Sequence, residues 1–125
     1  MKQFLIFFLL LSFLLSGCGN DSSIRKELYD DSLKYYNLLN ERIIAIETYS
    51  EEDKKNLKSY SDKYDGMLKD LNKEERALFA EVGSMYMSLD IISETYLILE
   101  SKDMKETVDD FVKSKLKAAK MLGLE

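Results

Sequence analysis

The 125-residue sequence contains no proline, no histidine, no tryptophan and a single cysteine. Without histidine the chain cannot build histidine-containing zinc sites, Glu-x-x-His di-iron sites or the nucleophile–histidine pairs on which many enzymes depend. Without proline, and with only five glycines, it lacks the turn residues that separate the short strands of sandwiches and barrels. These absences favour an all-α protein that is not an enzyme and that holds no metal and no cofactor.

The charge of the chain also excludes one class of partner. Charged residues make up 33% of the sequence, a share typical of helices with solvated faces, and the formal net charge is −5. Binding to nucleic acid depends on an excess of positive charge, because the phosphate backbone is a polyanion. The sequence therefore predicts no nucleic acid partner, and no strong attraction of the domain as a whole to anionic lipid.

An apolar run near the N-terminus predicts an export signal. It extends from Phe4 to Leu15 behind the cation Lys2, and the small residues Ser16 and Gly17 follow it. This is the order of charge, apolar core and small residues found in signal peptides. The run is shorter than the roughly 20 apolar residues that a membrane-spanning helix needs. We therefore expect residues 1–17 to be a cleaved signal peptide.

The end of this run, Leu15-Ser16-Gly17-Cys18, resembles the lipobox of bacterial prolipoproteins. In that family the cysteine thiol receives a diacylglycerol, a peptidase cuts before the cysteine, and the new amino group is often acylated. The resemblance implies cleavage between Gly17 and Cys18, with Cys18 as the lipidated first residue. It also implies a lipid-anchored protein at the extracytoplasmic face of the cell membrane, or in the outer membrane if the host has two membranes. An ordinary secretory signal with an incidental cysteine is the alternative.

Behind Cys18 the residues to Ser23 are small or polar and predict a flexible tether, so residues 18–23 link the anchor to a single domain over residues 24–125. In that domain apolar residues recur at steps of three and four, which predicts consecutive helices. The first ends near Tyr49, and the second begins after Ser50 and continues through Gly66. Their predicted buried stripes are Tyr29, Leu33, Tyr36, Leu39, Ile43 and Ile46, then Leu57, Tyr60, Tyr64, Met67, Leu68 and Leu71.

Two further helices are predicted by capping boxes, Asn72 with Glu75 and Asp103 with Glu106, so that the fourth helix begins at about Met104. Short connections between the helices favour a small antiparallel bundle. The joints near Ser50 and Ser101 are either turns or kinks, which leaves four helices or three long ones. The predicted apolar seam of the third helix is Leu78, Val82, Met85, Leu89, Ile92, Tyr96 and Leu99.

The third helix carries more apolar surface than one seam requires. A second strip contains Ala80, Met87, Ile91 and Ile98. Either the helix is central and touches two neighbours, or Met87, Ile91 and Ile98 form an exposed surface for a partner protein or a second copy of the chain. The small residues of this helix permit close approach in both interpretations.

Two other groups are candidates for surface binding. Lys113, Lys117 and Lys120 share one face near the C-terminus, where the helix dipole alone favours cations. The alternative is a face for lipid headgroups or anionic wall polymer. Among the eight tyrosines, Tyr35, Tyr49 and Tyr86 lie off the apolar stripes and are the better candidates for the surface.

The sequence thus favours a membrane-anchored lipoprotein that acts as a small helical interaction module at the cell envelope. Its partner would be an envelope protein or a second copy of the same chain. Two alternatives stay open, namely a lipoprotein that binds wall polymer or glycan, and an accessory lipoprotein of a mobile element that excludes a phage or plasmid.

Overall fold

A computed structural model describes residues 23–45, 49–95 and 101–125. The described residues form four α-helices and no strand, which confirms the all-α class. The helices are α1 (Lys26–Ala45), α2 (Glu51–Asp65), α3 (Lys73–Thr95) and α4 (Ser101–Met121). Within these ranges, no helix combines the length and the apolar character needed to cross a membrane.

The first two helices run antiparallel. The ring centroids of Tyr35 on α1 and Tyr60 on α2 lie 4.7 Å apart. Nearer the joint, Arg42 Nη2 lies 3.0 Å from Asp53 Oδ2. Because residues late in α1 meet residues early in α2, the chain reverses direction between them, and the joint near Ser50 is a turn rather than a kink.

The other two helices complete an antiparallel bundle. Lys117 Nζ on α4 lies 3.2 Å from Glu81 Oε1 on α3, so the chain also reverses near Ser101. The Tyr29 hydroxyl on α1 donates a hydrogen bond of 2.8 Å to the carbonyl oxygen of Leu122, directly after α4. Residues 23–45, 49–95 and 101–125 therefore form four helices rather than three long ones, and α3 contacts each of the other three.

One apolar core lies between the helices. It is formed by the residues that share the inner face of each helix, and their side chains are at least nine-tenths buried. The predicted seam of α3 is confirmed from Leu78 to Ile92, while Tyr96 and Leu99 lie outside the described residues. The core members are Leu28, Tyr35, Tyr36, Leu39, Tyr49, Leu57, Tyr60, Tyr64, Leu71, Leu78, Val82, Met85, Leu89, Phe111, Ala118, Ala119 and Leu122.

Two of the predicted helix starts are confirmed by reciprocal caps. The Ser50 hydroxyl accepts a hydrogen bond from the backbone N–H of Asp53, and Asp53 Oδ2 accepts one from the Ser50 N–H. Asn72 and Glu75 make the same exchange at the start of α3, with both hydrogen bonds at 2.9 Å. These caps satisfy backbone donors that have no partner within the helix.

Two predicted boundaries are wrong. The second helix was expected to continue through Gly66, but it ends at Asp65, and the N–H groups of Met67 and Leu68 bond to carbonyls three residues earlier. This tight turn buries Leu71 and leaves Leu68 at the surface. The fourth helix begins at Ser101, three residues before Met104, so Asp103 lies in its first turn and does not precede it.

The prediction that Tyr35, Tyr49 and Tyr86 lie at the surface is wrong for the first two. Tyr35 and Tyr49 are 7% exposed, and Tyr86 is only partly exposed. The ring of Tyr49 packs edge-on against Tyr86, while Tyr35 stacks on Tyr60. The Tyr60 hydroxyl lies 2.9 Å from the buried Ser32 hydroxyl. A tyrosine can occupy a core where its hydroxyl finds a polar partner, and apolar periodicity alone does not reveal that partner.

An ion pair joins the beginnings of α1 and α3. The buried Glu75 carboxylate accepts hydrogen bonds from Arg25 Nε at 2.8 Å, Arg25 Nη2 at 3.0 Å and the Arg25 backbone N–H at 2.9 Å. Arg25 Nη2 also donates to the carbonyl oxygen of Asp70. The Asn72 amide donates to the carbonyl oxygen of Ser23, and the Ser23 hydroxyl donates to Glu74. We call these five residues and Asp70 the N-terminal clasp.

The clasp makes the stability of the fold depend on pH, because acid weakens it. Hydrogen bonds from Arg25 lower the pKa of Glu75 from 4.5 to about 2 and outweigh the opposing effect of burial. Because the folded pKa lies below the unfolded one, this contribution to stability is complete above about pH 5 and is lost as the pH falls towards 2. It amounts to on the order of 3 kcal/mol at neutral pH.

We expect Glu75→Gln to lower the free energy of unfolding by about 3 kcal/mol at pH 7, because the charged hydrogen bonds to Arg25 are lost. The difference from the parent protein should shrink to about 1 kcal/mol at pH 3. Urea denaturation followed by helical circular dichroism measures both values. Glu51→Gln is the control, since that side chain is 93% exposed. A deficit for Glu75→Gln that does not change with pH would contradict the ionic origin of this stability.

Candidate functional site

A groove runs along the surface between α3 and α4. It has a volume of about 390 Å³ and is lined by residues from both helices. The lining residues are Ala80, Glu81, Ser84, Met87, Ser88 and Ile91 from α3, and Asp110, Lys113, Ser114 and Lys117 from α4.

Small side chains create the groove. Ala80, Ser84 and Ser88 follow one another at steps of four along α3, while Ser114 on α4 lies between the buried Phe111 and Ala118. Ser88 and Ser114 are both buried. Where two helices pack, larger side chains at such positions would fill the space between them. The short side chains leave a depression instead.

Two apolar residues at the groove face solvent. Met87 is 65% exposed and Ile91 is 45% exposed, although Met85 and Leu89 on the same helix are buried. Contact of α3 with three other helices is therefore not enough to cover its second apolar strip. The exposure of Met87 and Ile91 favours the interpretation of this strip as a partner surface. Ile98, the third residue predicted for it, lies outside the described residues.

The rim of the groove carries charges of both signs. Lys117 pairs with Glu81, whose side chain is only 19% exposed. Lys113 Nζ lies 3.5 Å from Asp110 Oδ1, one turn earlier on α4. Each lysine at the groove therefore has a carboxylate beside it, and the rim is close to electrically neutral.

The structure thus brings together two groups that the sequence analysis treated separately. Met87 and Ile91 from the predicted partner surface line the same groove as Lys113 and Lys117 from the predicted lysine face. Lys120 is exposed but is not among the lining residues. Cys18 and Gly17, the predicted lipidation and cleavage positions, lie outside the described residues.

Sequence reasoning missed three lining residues, Glu81, Asp110 and Ser114. Ser114 had a detectable signal, because it is a small polar residue within the apolar stripe of α4. Asp110 also had one, because it lies three residues before Lys113 on the same helix. Glu81 had none, since its pairing with Lys117 depends on which helices become neighbours. In the described ranges, no group of three or more acidic or cysteine side chains is placed to hold a metal ion.

A matched pair of substitutions on α3 tests the exposure of the groove. We expect Met87→Ala to change the free energy of unfolding by less than about 0.5 kcal/mol, because little apolar surface leaves a packed environment. Met85→Ala, two residues away, should cost about 2–5 kcal/mol because Met85 is completely buried. Thermal or urea denaturation compares the two variants. Equal losses would show that Met87 is part of the core.

The chemistry of the groove is inferred from its own side chains. Comparison with protein-family models, with curated proteins and with solved structures finds no match to this chain. Exposed apolar side chains, small residues that permit close approach and a neutral rim together suit an apolar side chain or a helix face of another protein.

Proposed function

We propose that the protein is a membrane-anchored bacterial lipoprotein whose helical bundle binds a partner protein at the cell envelope through the α3–α4 groove. The observation that carries the proposal is the exposure of Met87 and Ile91 beside the groove. Soluble proteins seldom leave neighbouring large apolar side chains in water unless another molecule covers them. The resemblance of Leu15-Ser16-Gly17-Cys18 to a lipobox supports the location.

A protein partner fits the groove better than a polyanionic polymer does. Wall polymers rich in phosphate would need uncompensated cations, but Lys113 and Lys117 each have a carboxylate within 3.5 Å. Bound polymer would have to displace Glu81 and Asp110 or be repelled by them. A partner helix instead would leave both ion pairs intact, since they can remain at the edge of the interface while Met87 and Ile91 become covered.

The anchor restricts which partners can reach the groove. One fatty acyl chain holds a protein only weakly to a bilayer, at about 0.8 kcal/mol per buried CH₂, whereas the two or three chains of a lipidated cysteine hold it stably. The lipid on Cys18 would therefore keep the bundle at the membrane without help from the domain. Its partner is then a protein whose own helical segment lies at the same surface, or a second copy of the chain.

The proposal is tested by photo-crosslinking in intact cells of the native bacterium. A photoreactive residue replaces Ser84, an exposed residue of the groove. We expect a discrete covalent adduct that disappears in the variant Met87→Asp/Ile91→Asp, because carboxylates cannot be buried in an apolar contact. Cys18→Ser, which cannot receive the lipid, should either remain uncut or be released from the membrane.

The matched control places the same photoreactive residue at Ile44, an apolar side chain that is 71% exposed on α1. Ile44 does not line the groove. The control should not give the adduct seen from position 84. An adduct of twice the chain's own mass would identify a second copy as the partner. The same adduct from both positions, or one that persists in the double aspartate variant, would contradict binding through the groove.

A further inference from the structure

The N-terminal clasp determines which end of the bundle lies nearest to the point where the chain enters it. Ser23 is bonded to Asn72 and Glu74, and Arg25 is bonded to Glu75, all at the beginning of α3. The C-terminal segment lies at the same end, because Tyr29 at the start of α1 bonds to Leu122. We call this the entry end, formed by residues 23–25, 66–75 and 122–125. The opposite end holds the end of α1 and the beginning of α2.

The chain outside the bundle is too short to let the entry end move far from a lipid on Cys18. Five residue steps separate Cys18 from Ser23, and a fully extended chain spans about 17 Å over that length. Ser23 belongs to the predicted tether, but its two hydrogen bonds hold it at the beginning of α3. By comparison, α1 alone is about 30 Å long.

The entry end also presents apolar side chains to the outside. Leu68 is 37% exposed in the turn between α2 and α3, and Leu124 is 48% exposed behind α4. Lys69 and Asp70 follow Leu68 directly, and Glu125 follows Leu124. The entry end holds three cations and four carboxylates, so its net charge is slightly negative. Contact there would therefore depend on the leucines rather than on attraction to anionic lipid.

We propose that the entry end packs against the bilayer, with Leu68 and Leu124 at the boundary between headgroups and acyl chains, so that the bundle stands on the membrane by its α2–α3 turn and C-terminal segment. This inference rests on the proposed lipid anchor at Cys18. Apolar side chains of proteins that lie on a membrane enter this boundary between headgroups and acyl chains. In this orientation the α3–α4 groove opens to the side, towards proteins embedded in or attached to the same membrane.

The absence of tryptophan makes the proposal directly measurable, since one introduced tryptophan is the only one present. The lipidated full-length protein is purified as Leu68→Trp, Leu124→Trp and, for the opposite end, Ile44→Trp. All three positions are apolar and exposed. Each variant is inserted into phosphatidylcholine vesicles and into vesicles containing phosphatidylglycerol, both brominated near the start of the acyl chains. Bromine quenches tryptophan fluorescence only at short range.

We expect at least twofold stronger quenching of the tryptophans at 68 and 124 than of the one at 44, with little difference between the two lipids. Equal quenching at the three positions, or strongest quenching at 44, would overturn the proposed orientation. Sedimentation with the vesicles separates this failure from failure of the anchor. A protein that is acylated and sediments, yet shows no difference among the positions, refutes the orientation alone. A protein that is not acylated and stays in solution refutes the anchor, and the orientation with it.

Discussion

The pairing of Arg25 with the buried carboxylate of Glu75 is the interaction on which the arrangement of this bundle depends. It joins residues that are 50 positions apart and places the first turn of α1 beside the first turn of α3. The same carboxylate closes the cap of α3 through the N–H of Asn72. One side chain therefore starts a helix, compensates a cation and selects the neighbour of α1. A buried carboxylate without these partners would be strongly destabilising.

The position of α3 explains why a fold with one small core also leaves an apolar strip exposed. One face of α3, from Leu78 to Ile92, is buried against the other helices and supplies the apolar side chains that the core needs from this helix. The opposite strip is not needed for folding, and α4 leaves Met87 and Ile91 uncovered. Met87 and Ile91 therefore remain exposed at no cost to the packing of Met85 and Leu89. The buried face of α3 and the face proposed to bind a partner therefore lie on opposite sides of the same helix.

Much of the fold could be predicted from residue order. Apolar steps of three and four identified the helices, and Ser50 and the pair Asn72 with Glu75 marked two of their starts correctly, because a helix cap is a local exchange of hydrogen bonds. The end of α2 could not be predicted in this way. The apolar spacing continues through Gly66, and only the burial of Leu71 in the assembled core decides that the chain turns there.

The candidate site was less accessible to sequence reasoning. The surplus apolar strip on α3 was visible, but whether a neighbour covers it depends on the packing of α4, and the meeting of Met87 with Lys117 in one groove is a tertiary event. The tyrosines illustrate the opposite error. Tyr35 and Tyr49 lie off the apolar stripes, yet both are buried, because their rings pack against those of Tyr60 and Tyr86.

The most direct test of the central claim, a bundle held at the membrane by lipid on Cys18, is the intact mass of the protein recovered from the membrane fraction of a bacterium that expresses it. We expect a chain that begins at Cys18 and carries the added mass of a diacylglycerol, with or without a further acyl group on its amino terminus. An unacylated mature chain recovered from the medium would contradict the lipid anchor.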